Sequence, residues 1–376
     1  MTTRLIYAAS ESSADMFYAT GVWTPDPFLF VREASGRRHV VTSVLEIDRI
    51  RRLARVEVVH DWEPLRQGWL QKNPGKSPET ADLIFCFLET VGSRHILVPH
   101  DFPVGLADPL RRSGVSVEVA THGFWPERER KRPDEIDAIQ QALAITGRAM
   151  EAGVGLIIAS VIGDDGCLYL DGAPLTSERV RTRIHSRLVE EGAFARNTIV
   201  AGGSQGADPH APGSGPLLAH WPIILDVFPR VEESGYWGDM SRTVCRGRPT
   251  DRVRRAWEAV RQAQEVAIAR IRPGVATTEV HAAVSRHLTD AGFVTGPTPE
   301  GCQGGFFHGT GHGLGLDIHE APRIGPRGPV LEVGHVVTVE PGLYYPDMGG
   351  VRLEDVVVVE ETGCRNLTDF PKILEV

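Results

Sequence analysis

What this 376-residue chain lacks narrows its function before any motif is read. Its five cysteines, Cys86, Cys167, Cys245, Cys302 and Cys364, are scattered and odd in number, and no Cys-x-x-Cys pair occurs. That excludes a disulfide framework and a thiolate zinc cage. It suits reduced thiols in a cytoplasm, with packing as their default role. No basic stretch followed by an apolar core opens the sequence, so no secretory signal is expected. The longest apolar run, near GVGLIIASVIG, is too short to cross a bilayer, so no membrane partner is expected. Positive charge is outweighed: 40 Lys and Arg against 49 Asp and Glu leave a net charge of -9. An acidic chain repels phosphate backbones, which removes nucleic acid from the expected partners. Short internal repeats and low-complexity segments are also missing.

What is present is globular. Apolar residues make up 41% and charged residues 24%, and the length exceeds one ordinary core, so two domains are expected. Up to about residue 125, β-rich runs (PFLFV, RHVVT, RVEVVH, RHILV, VSVEV) alternate with helical ones (SVLEIDRIRRLA, ETADLIFCFLETV, PVGLADPLRRSG), which predicts an α/β domain. The charged stretch PERERKRPDE then reads as a linker, with the domains at 1–128 and 129–376. From Pro133 the pattern turns helical, with Asp134 and Glu135 in the first turn. Further helices are expected at TSERVRTRIHSRLVEEG, at TDRVRRAWEAVRQAQEVAIARI up to the Pro273-Gly274 pair, and at TTEVHAAVSRHLTDAG. Between and after them lie the strand-like runs NTIVAGG, PIILDVFP, GYWGDMSRTVC, HVVTVEPGLYY and VRLEDVVVVE. The second half is therefore α+β with mostly antiparallel strands.

The chemistry shows as acidic residues inside those apolar strands. Asp226 interrupts PIILDVFP, Asp239 sits in YWGDMSRTV, Glu340 ends VVTVEP, and Glu354 sits in VRLEDVVVV. A carboxylate so placed is costly unless paired, hydrogen-bonded or bound to metal. Four in one core repel one another unless cations are present. Strand alternation puts Arg352 on the face of Glu354 and Thr338 on the face of Glu340, as supports for candidate ligands. The run FFHGTGHGLGLDIHE adds His308, His312 and His319 among glycines that let the backbone approach closely. His210 lies in the loop ADPHAPGSG. A salt-bridge network built on Arg242 and Arg352 is the rival reading of the same carboxylates.

These segments resemble the pita-bread metallopeptidases, in the branch of prolidase, aminopeptidase P and creatinase. The resemblance rests on GYWGDMSRTV, HGTGHGLGLDIHE, TVEPGLYY and VRLEDVVVV, taken together and in order, and it covers nearly the whole chain. It implies an N-terminal domain of the creatinase/prolidase type, here carrying SESSADMFYATG, followed by a pita-bread catalytic domain. By position, Asp226 would chelate one metal, Asp239 and Glu354 would bridge two, and His312 with Glu340 would hold the second. His308, His319 and His210 match substrate-side histidines, and Arg352 matches an arginine behind the last glutamate. Glu340 is expected to shuttle a proton, and His319 or His308 to stabilise the oxyanion.

The implied cofactor is two divalent ions, manganese first, with cobalt, zinc or iron also suiting an oxygen-rich set. The implied reaction is hydrolysis at Xaa-Pro in short proline-containing peptides by a hydroxide bridging the metals, as a dipeptidase or an aminopeptidase. A same-fold hydrolase or lyase on a small non-peptide substrate is the alternative, although creatinase-type relatives lose the metal ligands that are all filled here. A homodimer is expected from the same resemblance, and a cytoplasmic location from the cysteine pattern. One departure stands out: Phe228 occupies the place where the family usually has glycine two residues after the first aspartate.

Overall fold

The computed structural model describes residues 2–121, 123–299 and 301–376. The chain divides into two compact units, 1–126 and 127–376.

The first unit is built on six strands: β1 (Thr3–Ala8), β2 (Phe28–Arg32), β3 (Arg38–Thr42), β4 (Val58–Asp61), β5 (His95–Val98) and β6 (Ser116–Val119). They lie in the order β4-β3-β2-β1-β5-β6, antiparallel at the centre and parallel towards both edges. Strand alternation splits the apolar residues between two faces. Leu5, Leu29, Val31 and Val41 face one cluster with Ile84, Phe87 and Leu110, while Ile6, Phe28, Phe30 and Val40 face the other with Met16, Ile50 and Trp125. Helices therefore cover both sides, as near-continuous burial of Phe28–Val31 requires.

The sequence reading missed three elements here: β1, α1 (Ala14–Thr20) and, after α2 (Ile47–Leu53), the helix α3 (Trp62–Lys72). No residue of α3 is fully buried, so its apolar pattern was too weak to read. Asp61 nonetheless starts it, its side chain accepting from the Glu63 N–H at 2.9 Å. The helices α4 (Thr80–Thr90) and α5 (Val104–Arg112) fall on the expected runs.

In the second unit, the helix expected from Pro133 is α6 (Pro133–Ala159), which continues through Gly153. By length and composition it would suit a membrane crossing, yet half of its most apolar stretch is buried, with Met150, Val154 and Ile157 in the core. With α7 (Ser177–Glu190) it backs a three-stranded antiparallel sheet of β7 (Ile199–Gly202), β8 (Ile223–Val227) and β9 (Met240–Val244). The pair α8 (Asp251–Ile268) and α9 (Thr277–Asp290) shares a second core with the following strands. These are β10 (Gly311–Gly313), β11 (Glu320–Ile324), β12 (Val336–Val339), β13 (Gly342–Tyr345), β14 (Gly349–Arg352), β15 (Asp355–Glu360) and β16 (Gly363–Asn366). A five-stranded antiparallel sheet runs β11-β10-β12-β15-β16, and β13 pairs with β14 separately.

Two strands expected to be continuous are broken, and both breaks fall at carboxylates. HVVTVEPGLYY leaves the large sheet after Val339, where Pro341 has no N–H to give. VRLEDVVVVE splits into β14 and β15 around Leu353 and Glu354. Glu354 sits where the chain passes from the β13–β14 pair into the five-stranded sheet, and its N–H bonds the Ser241 carbonyl of β9, in the three-stranded sheet, at 3.1 Å.

Candidate metal centre

The break places Glu354 beside ligands from both sheets. Asp239 immediately precedes β9, and His312 is central in β10. Their donor atoms and a Glu354 oxygen all lie within 4.8 Å of one another, and all three side chains are buried. Glu340 joins them, with its Oε1 3.3 Å from His312 Nε2, while an Asp239 oxygen lies 3.7 Å from the same nitrogen. His312 can enter this crowd only because of its neighbours. A Cβ at position 311 would fall 1.9 Å from the Thr338 carbonyl oxygen, and one at 313 would fall 2.3 Å from that of Ala321. Glycine on both sides is what lets three chain segments close around the imidazole.

The electrostatics fit a cation. His312 Nδ1–H donates to the Gly313 carbonyl at 3.1 Å, so Nε2 presents a bare lone pair to the carboxylates. Burial pushes this imidazole down to about 3, so it carries no charge that could offset theirs. Burial, then repulsion from the neighbouring acids, raises Asp239 and Glu354 far above the carboxylate range. Burial likewise lifts Glu340 to about 7. A neutral nitrogen lone pair facing two acids, with a third beside them, is an arrangement that a divalent cation resolves.

Asp226 is placed differently. Arg352 holds its Oδ2 at 2.7 Å, while its Oδ1 is buried without a partner. The rival arginine network is thus only partly real. Arg352 pairs one candidate ligand, but Arg242 goes to Asp355 (3.0 Å) and to the carbonyls of Ser241 and Glu354. The expected side-by-side contact of Arg352 with Glu354 is also corrected. The strand break turns Arg352 onto Asp226 and Ser241 Oγ (2.9 Å), and Ser241 Oγ in turn donates to Glu354 Oε2 at 3.0 Å. Thr338 does stand beside Glu340, at 3.3 Å.

The remaining histidines separate by their bonding. Both His308 nitrogens are engaged: Nδ1 with the Gly309 carbonyl (2.7 Å), Nε2 with the Tyr344 hydroxyl (2.9 Å). Arg352 donates to that hydroxyl at 3.0 Å, forming a fixed Arg352–Tyr344–His308 chain. His319 is exposed and packs edge-to-face on His312 at 4.3 Å. His210 is exposed, on a loop whose Pro209 carbonyl accepts from Arg352 at 3.3 Å. Two residues escaped the sequence reading. Tyr344 could have been suspected as a buried hydroxyl close after Glu340. Arg323, on β11, is exposed and pairs with no acid among the described residues, and its charge bears on His312, His319 and Glu340. A lone arginine among prolines and glycines gives no sequence signal.

Residues 137–361 match the model of metallopeptidase family M24. The chain belongs to that family. Among relatives of this M24 chain, the uncharacterized peptidase YqhT of Bacillus subtilis is 38% identical over 47% of this chain and 47% of its own. A Xaa-Pro dipeptidase of Lactobacillus delbrueckii subsp. lactis is 36% identical over 48% of this chain and 46% of its own. The chain thus matches about half the length of these relatives. The solved prolidase of Pyrococcus horikoshii OT3 superposes with a TM-score of 0.80 over 100% of this chain and 95% of that one, at 22% identity. That whole-chain likeness shows the expected fold: an N-terminal α/β domain followed by a pita-bread domain.

Proposed function

We propose that this protein is a metal-dependent exopeptidase that hydrolyses peptide bonds at Xaa-Pro, with dipeptides as its main substrates. The observation that carries the reading is the His312 Nε2 lone pair enclosed by the acids Asp239, Glu340 and Glu354. Asp239, His312 and Glu354 would hold one divalent ion with Glu340 at their side. Asp226 would meet a second ion through its unpartnered Oδ1 while Arg352 keeps Oδ2. Manganese is the proposed metal; cobalt, zinc or iron suit the same donors. Bound there, two such ions supply a water that is nucleophilic near neutral pH and polarise the scissile carbonyl.

The chain's own groups do the rest. His319, whose ring is not tied up as that of His308 is, donates a hydrogen bond to the carbonyl oxygen as charge develops. Glu340 carries the proton to the leaving nitrogen, which a prolyl amide cannot supply because it has no N–H. The Arg352–Tyr344–His308 chain fixes one wall, and His210 closes another side from its loop. Arg323 pairs the free carboxylate of the substrate, which is what favours a dipeptide over a longer chain. A homodimer, resting on the family resemblance, and a cytoplasmic location, resting on the scattered cysteines, belong to the same proposal.

The test is a panel of Xaa-Pro dipeptides, Xaa-Pro-Yaa tripeptides and non-prolyl dipeptides, offered to protein loaded with each metal. Cleavage of Xaa-Pro dipeptides ahead of tripeptides supports the reading. No cleavage with any of the four metals removes it.

A further inference from the structure

His319 raises a question of support. Among the described residues its ring nitrogens make no hydrogen bond, and its one ring contact is edge-to-face with His312. A side chain that meets substrate but is not anchored through its own ring takes its position from its backbone. That backbone is a bend from Gly315 into β11, and the bend closes around the carboxylate of the next residue, Glu320.

Three groups hold that carboxylate. Lys131 Nζ donates to Oε1, Arg128 Nη2 donates to Oε2 at 2.7 Å, and the Asp317 N–H reaches Oε2 at 3.4 Å. Arg128 also donates to Asp317 Oδ2 at 2.8 Å, so one guanidinium ties both acids of the bend. Asp317 is exposed, but the pair at the centre is largely out of water, with the side chains of Lys131 2% and Glu320 11% exposed. Space is tight as well: a Cβ on Gly315 would fall 2.5 Å from Glu320 Oε1. On the far side, Trp237 clamps the same bend, its N–H on the Gly315 carbonyl (3.0 Å) and its indole N–H on that of Leu316 (3.1 Å). Trp237 lies two residues before Asp239, so one rigid bend is referenced to the metal ligands at one end and to the segment entering α6 at the other.

We propose that Glu320, held by Arg128 and Lys131, is the positioning residue that aims His319 at the substrate. This rests on the reading of His319 as the donor to the substrate carbonyl. Glu320 itself touches no reacting atom. Its work is to fix the backbone from which the imidazole projects, in a site where misplacement by about 1 Å costs up to about 10²-fold in rate.

The full-length, metal-loaded protein is compared with E320Q, K131M and E320Q/K131M. The readouts are kcat and KM on an Xaa-Pro dipeptide, bound metal, thermal midpoint, and histidine-ring NMR in ¹³C-His protein, with the His319 signal identified by its loss in H319N. E320Q should lose about 10- to 100-fold in kcat with KM within about threefold and metal content unchanged. Its His319 signal should shift or broaden while that of His312 stays. The double variant removes the buried unpaired cation, so its thermal midpoint should return towards wild type while kcat and the His319 signal do not. If the double variant recovers kcat together with stability, or if E320Q keeps wild-type kcat and His319 signal, Glu320 is structural only and the proposal fails. Should the wild type cleave no peptide, the functional reading fails, and the His319 signal alone then decides the positioning claim.

Discussion

Removing divalent cations should make this protein sensitive to rising pH, and the size of the effect follows from one carboxyl. Glu340 ionises at about 7 in the metal-free fold against an ordinary 4.5. The folded state therefore keeps a proton that the unfolded chain has already released. Its contribution is intact below 4.5, declines as pH rises, and is lost above about 7. The interval corresponds to about 3 kcal/mol, and Asp239 and Glu354 are displaced in the same direction. Part of the Glu340 contribution is already lost by pH 5, so for a unit of this size the fall in thermal midpoint between pH 5 and pH 8 is about 5–10 °C. Calorimetry on chelator-treated protein at the two pH values reads it directly. Manganese should offset the loss, and so raise the midpoint more at pH 8 than at pH 5. A metal-free midpoint that is flat, or that climbs over this range, would refute the claim that these acids face one another in a dry site.

Further expectations concern single groups. Asp239→Ala or Glu354→Ala should abolish metal loading and activity together, as read by elemental analysis beside a rate assay; a metal-loaded, fully active Glu354→Ala protein would remove Glu354 from the ligand set. His319→Ala should keep its metal and lose about 10²–10³ in kcat, the effect of one oxyanion donor; an undiminished kcat would exclude it from the reaction. Arg323→Ala should raise KM for an Xaa-Pro dipeptide about 10- to 100-fold, the worth of one hydrogen bond to a charged group. The C-terminally amidated dipeptide should be insensitive to that change, and equal effects on both would show that Arg323 does not read the carboxylate.

The sequence exposed this site because charge inside an apolar strand is costly, and Asp226, Asp239, Glu340 and Glu354 all break apolar runs in one half of the chain. It did not reveal how they are shared out. Periodicity read VRLEDVVVVE as one strand and so placed Arg352 beside Glu354. The structure breaks the strand at Leu353, because the Glu354 N–H is drawn to Ser241 of the other sheet, and Arg352 turns to Asp226 instead. No local pattern encodes a bond between segments more than a hundred residues apart. His308 and His319 looked equivalent in sequence and differ because the Gly309 carbonyl and the Tyr344 hydroxyl occupy both nitrogens of His308, while His319 stands exposed. In the first unit, the strands β2 to β6 fell on expected apolar runs, whereas β1, although apolar on both faces, and α3, with no buried residue, were not seen.

The most direct test is anomalous diffraction at the manganese edge from crystals grown with manganese. The account predicts two peaks about 3.5–4 Å apart, enclosed by Asp226, Asp239, His312, Glu340 and Glu354. No peak within reach of those five residues, with their carboxyls instead protonated or turned onto arginines, would contradict it.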